Sequence, residues 1–303
     1  MAAQTTSIIV DWGTTSLRAA LVDADGRELD SLETAQGIST LKTGEHEDTL
    51  MTALSPWFLK YGAVPVAALG MITSRNGWVE IPYVPCPAGP IELAAGTTKR
   101  SLPNGSDLVF LAGLTDLARR PFPDVMRGEE TQIVGHGLAE DATLIIPGTH
   151  SKWASVKAGR IDSFQTFVTG EIFALLMNHS FIARGAAQPP VDDIAAFHLG
   201  IDEAKNSKAM LSVLFSARTG GLAGKLSATQ LRSYVHGLVI GQEFHQAHDT
   251  GWYSDGHKAT IIGNDGLNDL YRIAAKAFGL DISLGADDVL HRGALDILHH
   301  AIA

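Results

Sequence analysis

Cysteine is all but missing from these 303 residues. The single Cys86 excludes an intramolecular disulfide and any cysteine-rich metal centre; its setting, Pro82-Tyr-Val-Pro-Cys-Pro87, offers no catalytic context, so a structural role is expected. Positive charge is scarce too, with 23 Lys and Arg against 33 Asp and Glu and a net charge of −10. No long basic run interrupts that balance, so the footprint of a nucleic-acid binder is lacking, and the acidity reads as solubility. Apolar runs stay well short of the roughly 18 residues that suggest a membrane span. The first residues lack the basic segment and apolar core of a signal peptide, and a cytoplasmic setting is expected. The 12 histidines are scattered and suggest no metal centre. Nothing in the sequence assigns an oligomeric state.

What is present is the composition of an ordinary globular protein, 45% hydrophobic and 18% charged, in a chain long enough for two domains. Short strand patterns at 7–11, 17–22 and 27–33 precede a helical pattern at 46–60 and buried strands at 64–69 and 108–111. Between the last two lies a Pro/Gly-rich connection, about 82–105. A helix-like stretch runs from Gly128 to about Leu138. Further strands at 152–157 and 160–167 lead into helical patterns at 171–183, 191–203, 207–217 and 227–248. A strand at 259–262, a helix to about Phe278, a strand at 281–284 and a helix at 287–301 close the chain.

The phrase Gly-Thr-x-Ser occurs twice, each time after an apolar run: Gly13, Thr14, Ser16 and Gly148, Thr149, Ser151. The offset is constant at 135 positions (13 to 148, 14 to 149, 16 to 151). Asp25-Gly26-Arg27 and Ala158-Gly159-Arg160 then look like matching hairpin turns. The repetition suggests two halves, each presenting a strand-loop-strand unit suited to phosphate. Glycines such as Gly13 and Gly148 let backbone N–H groups approach an anion, and the hydroxyls of Thr14, Thr15, Ser16, Thr149 and Ser151 can donate to phosphate oxygens. Asp11, at the end of the first strand, can hold a hydrated Mg²⁺. Arg18 follows on the outgoing strand; His150 and Lys152 flank the second loop, where a lysine suits phosphate charge or is a solvated strand residue. Each loop alone also reads as a tight turn capped by hydroxyls.

Two other glycine clusters differ in kind. Gly220-Gly221-Leu222-Ala223-Gly224-Lys225 has the composition of a P-loop, but its spacing is one short and Leu226 replaces the magnesium-binding hydroxyl, so a flexible linker or lid is expected. Gly263-Asn264-Asp265-Gly266 sits where a strand ends and a helix begins, open to a flat ring or an anion, or simply a helix cap.

Taken together, Asp-x-Gly-Thr-Thr, Pro-Gly-Thr-His-Ser-Lys and Gly-Asn-Asp-Gly resemble the two phosphate motifs and the adenosine motif of sugar kinases in the actin/hexokinase superfamily. Met126-Arg-Gly-Glu-Glu-Thr-Gln132, Pro147-Gly-Thr-His-Ser-Lys-Trp153 and Thr169-Gly-Glu171 look like the 2-dehydro-3-deoxygalactonokinase family over the full length. The resemblance implies an α/β, two-lobed, ribonuclease H-like fold with a duplicated mixed-sheet domain around a central cleft. Residues 1–138, with 286–303 returning to them, would form one lobe and 139–285 the other. It implies ATP, carried with Mg²⁺ near Asp11, as phosphate donor to the 6-hydroxyl of a six-carbon 2-keto acid in galactonate breakdown. Asp11, Gly13, Thr14, Thr15, Arg18, Gly148, Thr149, His150, Ser151, Lys152, Gly263, Asn264 and Gly266 would contact the nucleotide. Related kinases place a Gly-Asp pair, with the aspartate as base, where Gly128-Glu129 stands here, so Glu129 is the expected base and Glu130 the next choice. The loop Met71–Trp78 would select the acceptor, with Arg75 or Arg127 on the carboxylate, Asn76 on hydroxyls and Trp78 covering the ligand. A kinase for another sugar or sugar acid on the same fold, and a non-catalytic ATP-switched binding protein of the actin or chaperone kind, are the competing expectations.

Overall fold

The computed structural model describes residues 6–187, 191–207, 209–263 and 265–303. The chain divides into two compact units, the first comprising Met1–Asp141, Ser155–Phe164 and Ala286–Ala303, the second Ala142–Ala154 and Gln165–Gly285. Ser155–Phe164, expected with the second unit, is thus grouped with the first. The reason is local: Ala88 and Ile161 exchange backbone hydrogen bonds, and Arg160 pairs with Glu92 at 2.8 Å.

In the first unit, β1 (Ser7–Trp12), β2 (Leu17–Val22) and β3 (Glu28–Thr34) form an antiparallel meander. Their period of two sends Ile8, Val10, Trp12, Leu17, Ala19 and Leu21 into one core. Helix α1 (His46–Tyr61) closes that core with Leu50, Leu54 and Trp57, each burial stabilising by roughly 1.5–3 kcal/mol. Glu47 and Asp48 sit in its first turn, where the helix dipole favours acids. The wholly buried run β4 (Val66–Leu69) lies parallel to β1. The stretch expected as a bare connection instead carries β5 (Val84–Pro85), α2 (Pro90–Ala95) and β6 (Thr98–Ser101) before β7 (Asp107–Phe110), β8 (Leu114–Asp116) and β9 (Asp124–Met126). No periodicity announces β5, which spans two residues and pairs with the distant β8, or β6, whose Thr-Lys-Arg-Ser is exposed throughout in a hairpin with β7. Helix α3 (Glu129–His136) follows. The main sheet has the order β3-β2-β1-β4-β7-β6.

The second unit repeats the theme. Strands β10 (Ala142–Ile146), β11 (Ser151–Lys157) and β12 (Arg160–Phe167), whose hairpin from Ser155 to Phe164 is the part grouped with the first unit, lead into α4 (Thr169–His179), α5 (Ile194–Asn206), α6 (Met210–Val213), α7 (Phe215–Leu222) and α8 (Ala228–Asp249). Ser227 and Gln230 form a capping box at the start of α8. Strand β13 (Lys258–Ile261), helix α9 (Asp265–Ala277) and strand β14 (Asp281–Leu284) complete the sheet, ordered β12-β11-β10-β13-β14. The 220–225 cluster connects α7 to α8 only in its second half, from Ala223 on. Gly220 to Leu222 are the last turn of α7, and Lys225 and Leu226 donate their N–H groups back to Gly220 O.

Helix α10 (Val289–Ile302) belongs to the first unit and crosses α3 backbone against backbone. A β-carbon at Gly135 would fall 1.7 Å from Val289 O, and one at Gly293 would fall 1.9 Å from Thr131 O. Only glycine at both positions allows this approach, and it fixes where α3 begins.

Candidate active site

In the first unit the loop after β1 is closed by Gly13 N–H donating to Ser16 O at 2.9 Å. Its carbonyls are held from behind: Gly13 O accepts from Ile38 N at 3.1 Å, and Thr14 O accepts from Ser39 N at 3.0 Å and Ser39 Oγ at 2.7 Å. A β-carbon at Gly37 would lie 2.3 Å from Thr14 O, so this backing strand must pass without a side chain. With the backbone fixed inward, Thr14 and Thr15 stand exposed. Asp11 faces Arg18 in the β1–β2 register and Leu69 in the β1–β4 register. Burial pushes its carboxyl pKa up, the Arg18 charge pulls it down, and the nearby Glu129 charge adds to the rise. Arg18 itself pairs with Glu33 at 3.0 Å. An open depression of about 390 Å³ is lined by Asp11, Arg18, Ser31, Glu33 and His291.

Gly128, at φ 110°, turns the chain from β9 into α3. The two glutamates that follow separate cleanly. Glu129 is half-buried, accepts from Arg127 N at 3.0 Å and is near enough to Asp11 to act on its charge. Glu130 is 1% exposed, and its carboxylate folds back onto Gly128 N at 2.9 and 2.8 Å and onto Thr131 Oγ1 at 3.0 Å. Burial first, then the Glu129 charge, push its pKa up to about 7. It is a buried helix cap, and the geometry gives it no access to an acceptor.

The second loop has the same construction. Glu171 N donates to Thr149 O at 3.0 Å, as Ser39 N does to Thr14 O, and a β-carbon at Gly170 would lie 2.6 Å from Gly148 O. The likeness of the two loops therefore extends beyond the hairpins to the glycine-bearing segments behind them, although Gly37 and Gly170 are 133 rather than 135 positions apart. Thr149 and His150 are exposed, and His150 Nε2 meets Glu171 Oε2 at 2.6 Å. Ser151 and Lys152 differ from expectation: Ser151 is fully buried and its hydroxyl donates to Glu243, and Lys152, 3% exposed rather than solvated, donates Nζ to His150 O at 2.8 Å. Both shape the loop from inside. At the end of β13, Asn268 Nδ2 donates to Gly263 O at 2.9 Å, and a β-carbon at Gly263 would come within 2.8 Å of Asn268 Oδ1. Gly266 is exposed in the first turn of α9, while Asn264 lies outside the described residues.

Arg75 and Asn76 stand exposed on the turn after β4. Trp78 does not. Its ring stacks on His46 (5.9 Å, 12°) and meets Phe110 edge-on at 5.3 Å, so it packs into the core instead of covering a ligand. Arg127 holds this turn in place, donating to Thr73 Oγ1 at 2.6 Å and Ile81 O at 3.0 Å with its guanidinium over the Tyr83 ring. Among the expected nucleotide and acceptor residues, Thr14, Thr15, Arg18, Thr149, His150, Gly263, Gly266, Arg75 and Asn76 stand exposed, whereas Ser151, Lys152, Trp78 and Arg127 are partly or wholly buried and hold the loops. Sequence reasoning singled out Thr169-Gly-Glu171 without a role for Gly170 and missed Gly37, Gly70 and Glu243, all of which act through contacts distant in the chain. An acid within the otherwise buried stripe of α8 is the one signal that marks Glu243.

Residues 11–297 match the family described as 2-keto-3-deoxy-galactonokinase. The 2-dehydro-3-deoxygalactonokinase of Escherichia coli K12 is 32% identical over 298 residues, covering 98% of each chain. A crystal structure from Sinorhizobium meliloti, whose protein carries the provisional name 2-dehydro-3-deoxygalactonokinase, superposes with a TM-score of 0.85 at 32% identity, covering 98% of this chain and 99% of that one. The Clostridium difficile activator of 2-hydroxyisocaproyl-CoA dehydratase, solved with bound ADPNP, shares the fold at a TM-score of 0.50 and 11% identity over 98% and 94% of the two chains. The α/β architecture is the actin/hexokinase-like one.

Proposed function

This chain belongs to the 2-keto-3-deoxy-galactonokinase family, and from that premise we propose that it transfers the γ-phosphoryl group of ATP to the 6-hydroxyl of 2-dehydro-3-deoxy-D-galactonate, in the cytoplasm. The observation that carries the reading is the pair Asp11 and Glu129, two carboxylates brought together from the end of β1 and the start of α3 beside an exposed Gly-Thr-Thr loop. In the transfer, the bond from the γ-phosphorus to the ADP oxygen breaks and a new bond forms to the substrate oxygen. Glu129 accepts the hydroxyl proton as that bond forms. Its backbone anchor is rigid: α3 is pinned on α10 and the carboxylate is tied to Arg127 N, so the base is oriented before the acceptor arrives.

Thr14 and Thr15 supply hydroxyl donors to phosphate in the first unit, and Thr149 with the Gly148 backbone does so in the second. Gly263 and Gly266 are assigned to the adenosine, Arg75 to the acceptor carboxylate and Asn76 to its hydroxyls. Among the described residues no cluster of three or more His, Cys, Asp or Glu side chains is set to hold a metal ion. Mg²⁺ brought in by ATP keeps most of its waters and needs one or two carboxylates, and the half-buried Asp11 at the end of β1 would supply one. When bound, the ion neutralises charge on the phosphates.

Glu129→Gln tests the reading. ADP release is measured with 2-dehydro-3-deoxygalactonate, its gluconate epimer and neutral hexoses as acceptors. Turnover of the first alone by the unaltered protein, and a loss of a hundredfold or more in the variant with ATP binding retained, is expected. Full activity of the variant rejects the base, and turnover of neutral hexoses rejects the substrate.

A further inference from the structure

Glu243 lies in the middle of α8, 2% exposed, and has no part in the chemistry above. Its carboxylate collects four hydrogen bonds. Oε1 accepts from Ser151 Oγ and Trp153 Nε1, each at 2.8 Å, and Oε2 accepts from the Tyr271 hydroxyl at 2.6 Å and from Thr169 Oγ1. The Tyr271 hydroxyl oxygen also lies 3.3 Å from Ser151 Oγ. An ionised carboxylate offers about four acceptor positions, so this one is saturated. Burial opposes its charge, and the four donors favour it.

The donors are not a random sample of the core. Ser151 is the residue directly after Gly148-Thr149-His150. Thr169 opens α4, whose next residue, Gly170, packs on Gly148 and Thr149, and whose Glu171 N–H binds Thr149 O. Tyr271 stands on α9, the helix that begins beside Gly263 and Gly266. One carboxylate therefore grips the outgoing end of the second glycine-threonine loop, the start of the helix that backs it, and the helix carrying the adenosine motif.

We propose that Glu243 is a positioning residue for ATP, fixing the 148–151 loop, the start of α4 and α9 in the one arrangement that presents Thr149 and its neighbouring backbone to phosphate. The inference rests on the reading of that loop as a nucleotide contact. A saturated hub is sensitive to a change of one atom. In Glu243→Gln the shape is kept and two donors are still met at Oε1, but the amide NH₂ confronts two hydroxyls that must turn round to accept. The loop should slacken while the unit stays folded.

The experiment is calorimetric titration of ATP into the full chain, without acceptor, together with KM values for ATP and for 2-dehydro-3-deoxygalactonate. Glu243→Gln is expected to weaken ATP binding about tenfold and to raise the KM for ATP alike, with the acceptor KM within about twofold. Leu280→Ala, in the same core but outside the hydrogen-bond network of Glu243, lowers stability and should leave ATP binding within about twofold. Unchanged ATP binding in Glu243→Gln, or an equal loss in Leu280→Ala, overturns the proposal. Should Glu243→Gln not fold, Thr169→Val and Tyr271→Phe each remove one donor, and ATP affinity unchanged in both overturns it equally. Thr149→Ala separates the two readings: if it leaves ATP binding intact, the loop assignment falls, whereas if it weakens binding and Glu243→Gln does not, only the positioning role falls.

Discussion

A β-carbon at Gly70 would lie 2.9 Å from Asp11 Oδ1. Asp11 pairs with Leu69 in the β1–β4 register, so the residue after β4 passes directly across the carboxylate, and it does so at φ +86°, a backbone state that L side chains adopt at a cost of about 1–2 kcal/mol. Gly70→Ala should therefore be strained and should displace the Asp11 carboxylate. A fall in kcat of tenfold or more is expected, with a stability loss of about 1–2 kcal/mol, read by steady-state kinetics beside urea unfolding. Unaltered turnover would mean that the placement of Asp11 is immaterial.

The crossing of α3 and α10 gives a second test at a distance from the chemistry. Gly293→Ala places a methyl group on Thr131 O, and the helices must part for it to fit. Overpacking of this kind costs about 1–3 kcal/mol or more. Because Glu129 is the first residue of α3, turnover should fall further than ATP affinity does. Denaturation midpoints and calorimetry on the same preparation separate the two effects, and a purely stability-linked loss would uncouple the crossing from the base.

The meander, the repeated hairpin and most helices were legible because they rest on local periodicity and turn residues, as in Ile8-Ile9-Val10 or Asp25-Gly26-Arg27. The strands at 84–85 and 98–101 were not: the first is two residues long and pairs with 114–115, and the second, Thr98-Lys-Arg-Ser101, is exposed throughout and carries no apolar alternation. The same distinction governs the site. Thr14 and Thr149 announce themselves by neighbouring glycine. That Glu130 is buried, that Trp78 turns inward onto His46 and that Glu243 collects donors 28 to 92 residues away depends on packing that no window of sequence contains.

Glu130 should leave a mark on stability against pH. Its ordinary value of 4.5 is raised to about 7 in the folded chain, so the folded state holds the proton more tightly than the unfolded one. The associated stability is complete below pH 4.5 and is lost as pH rises through 7. The size is about 3 kcal/mol. Glu130→Gln cannot titrate and keeps an acceptor for Gly128 N. Urea unfolding at intervals from pH 5 to pH 8 should show the unaltered protein losing about 3 kcal/mol more than the variant. Parallel profiles would count against a buried, proton-holding Glu130.

The two arginines near the acceptor turn make opposite predictions. Arg75 is exposed, so Arg75→Ala should change stability by less than about 0.5 kcal/mol and raise the KM for the sugar acid about tenfold, with the KM for ATP unmoved. Arg127 grips Thr73 and Ile81 with separate nitrogens and covers Tyr83, a fork that the single ammonium of lysine cannot reproduce. Arg127→Lys should cost about 1–2 kcal/mol of stability and weaken the acceptor through the loosened turn. The pair is decided by comparing urea midpoints with acceptor KM values. If Arg75→Ala binds the sugar acid normally while Arg127→Lys remains as stable as the unaltered chain yet loses it, the carboxylate partner is Arg127, and the turn is held by its own 3₁₀ backbone from Gly70 to Thr73.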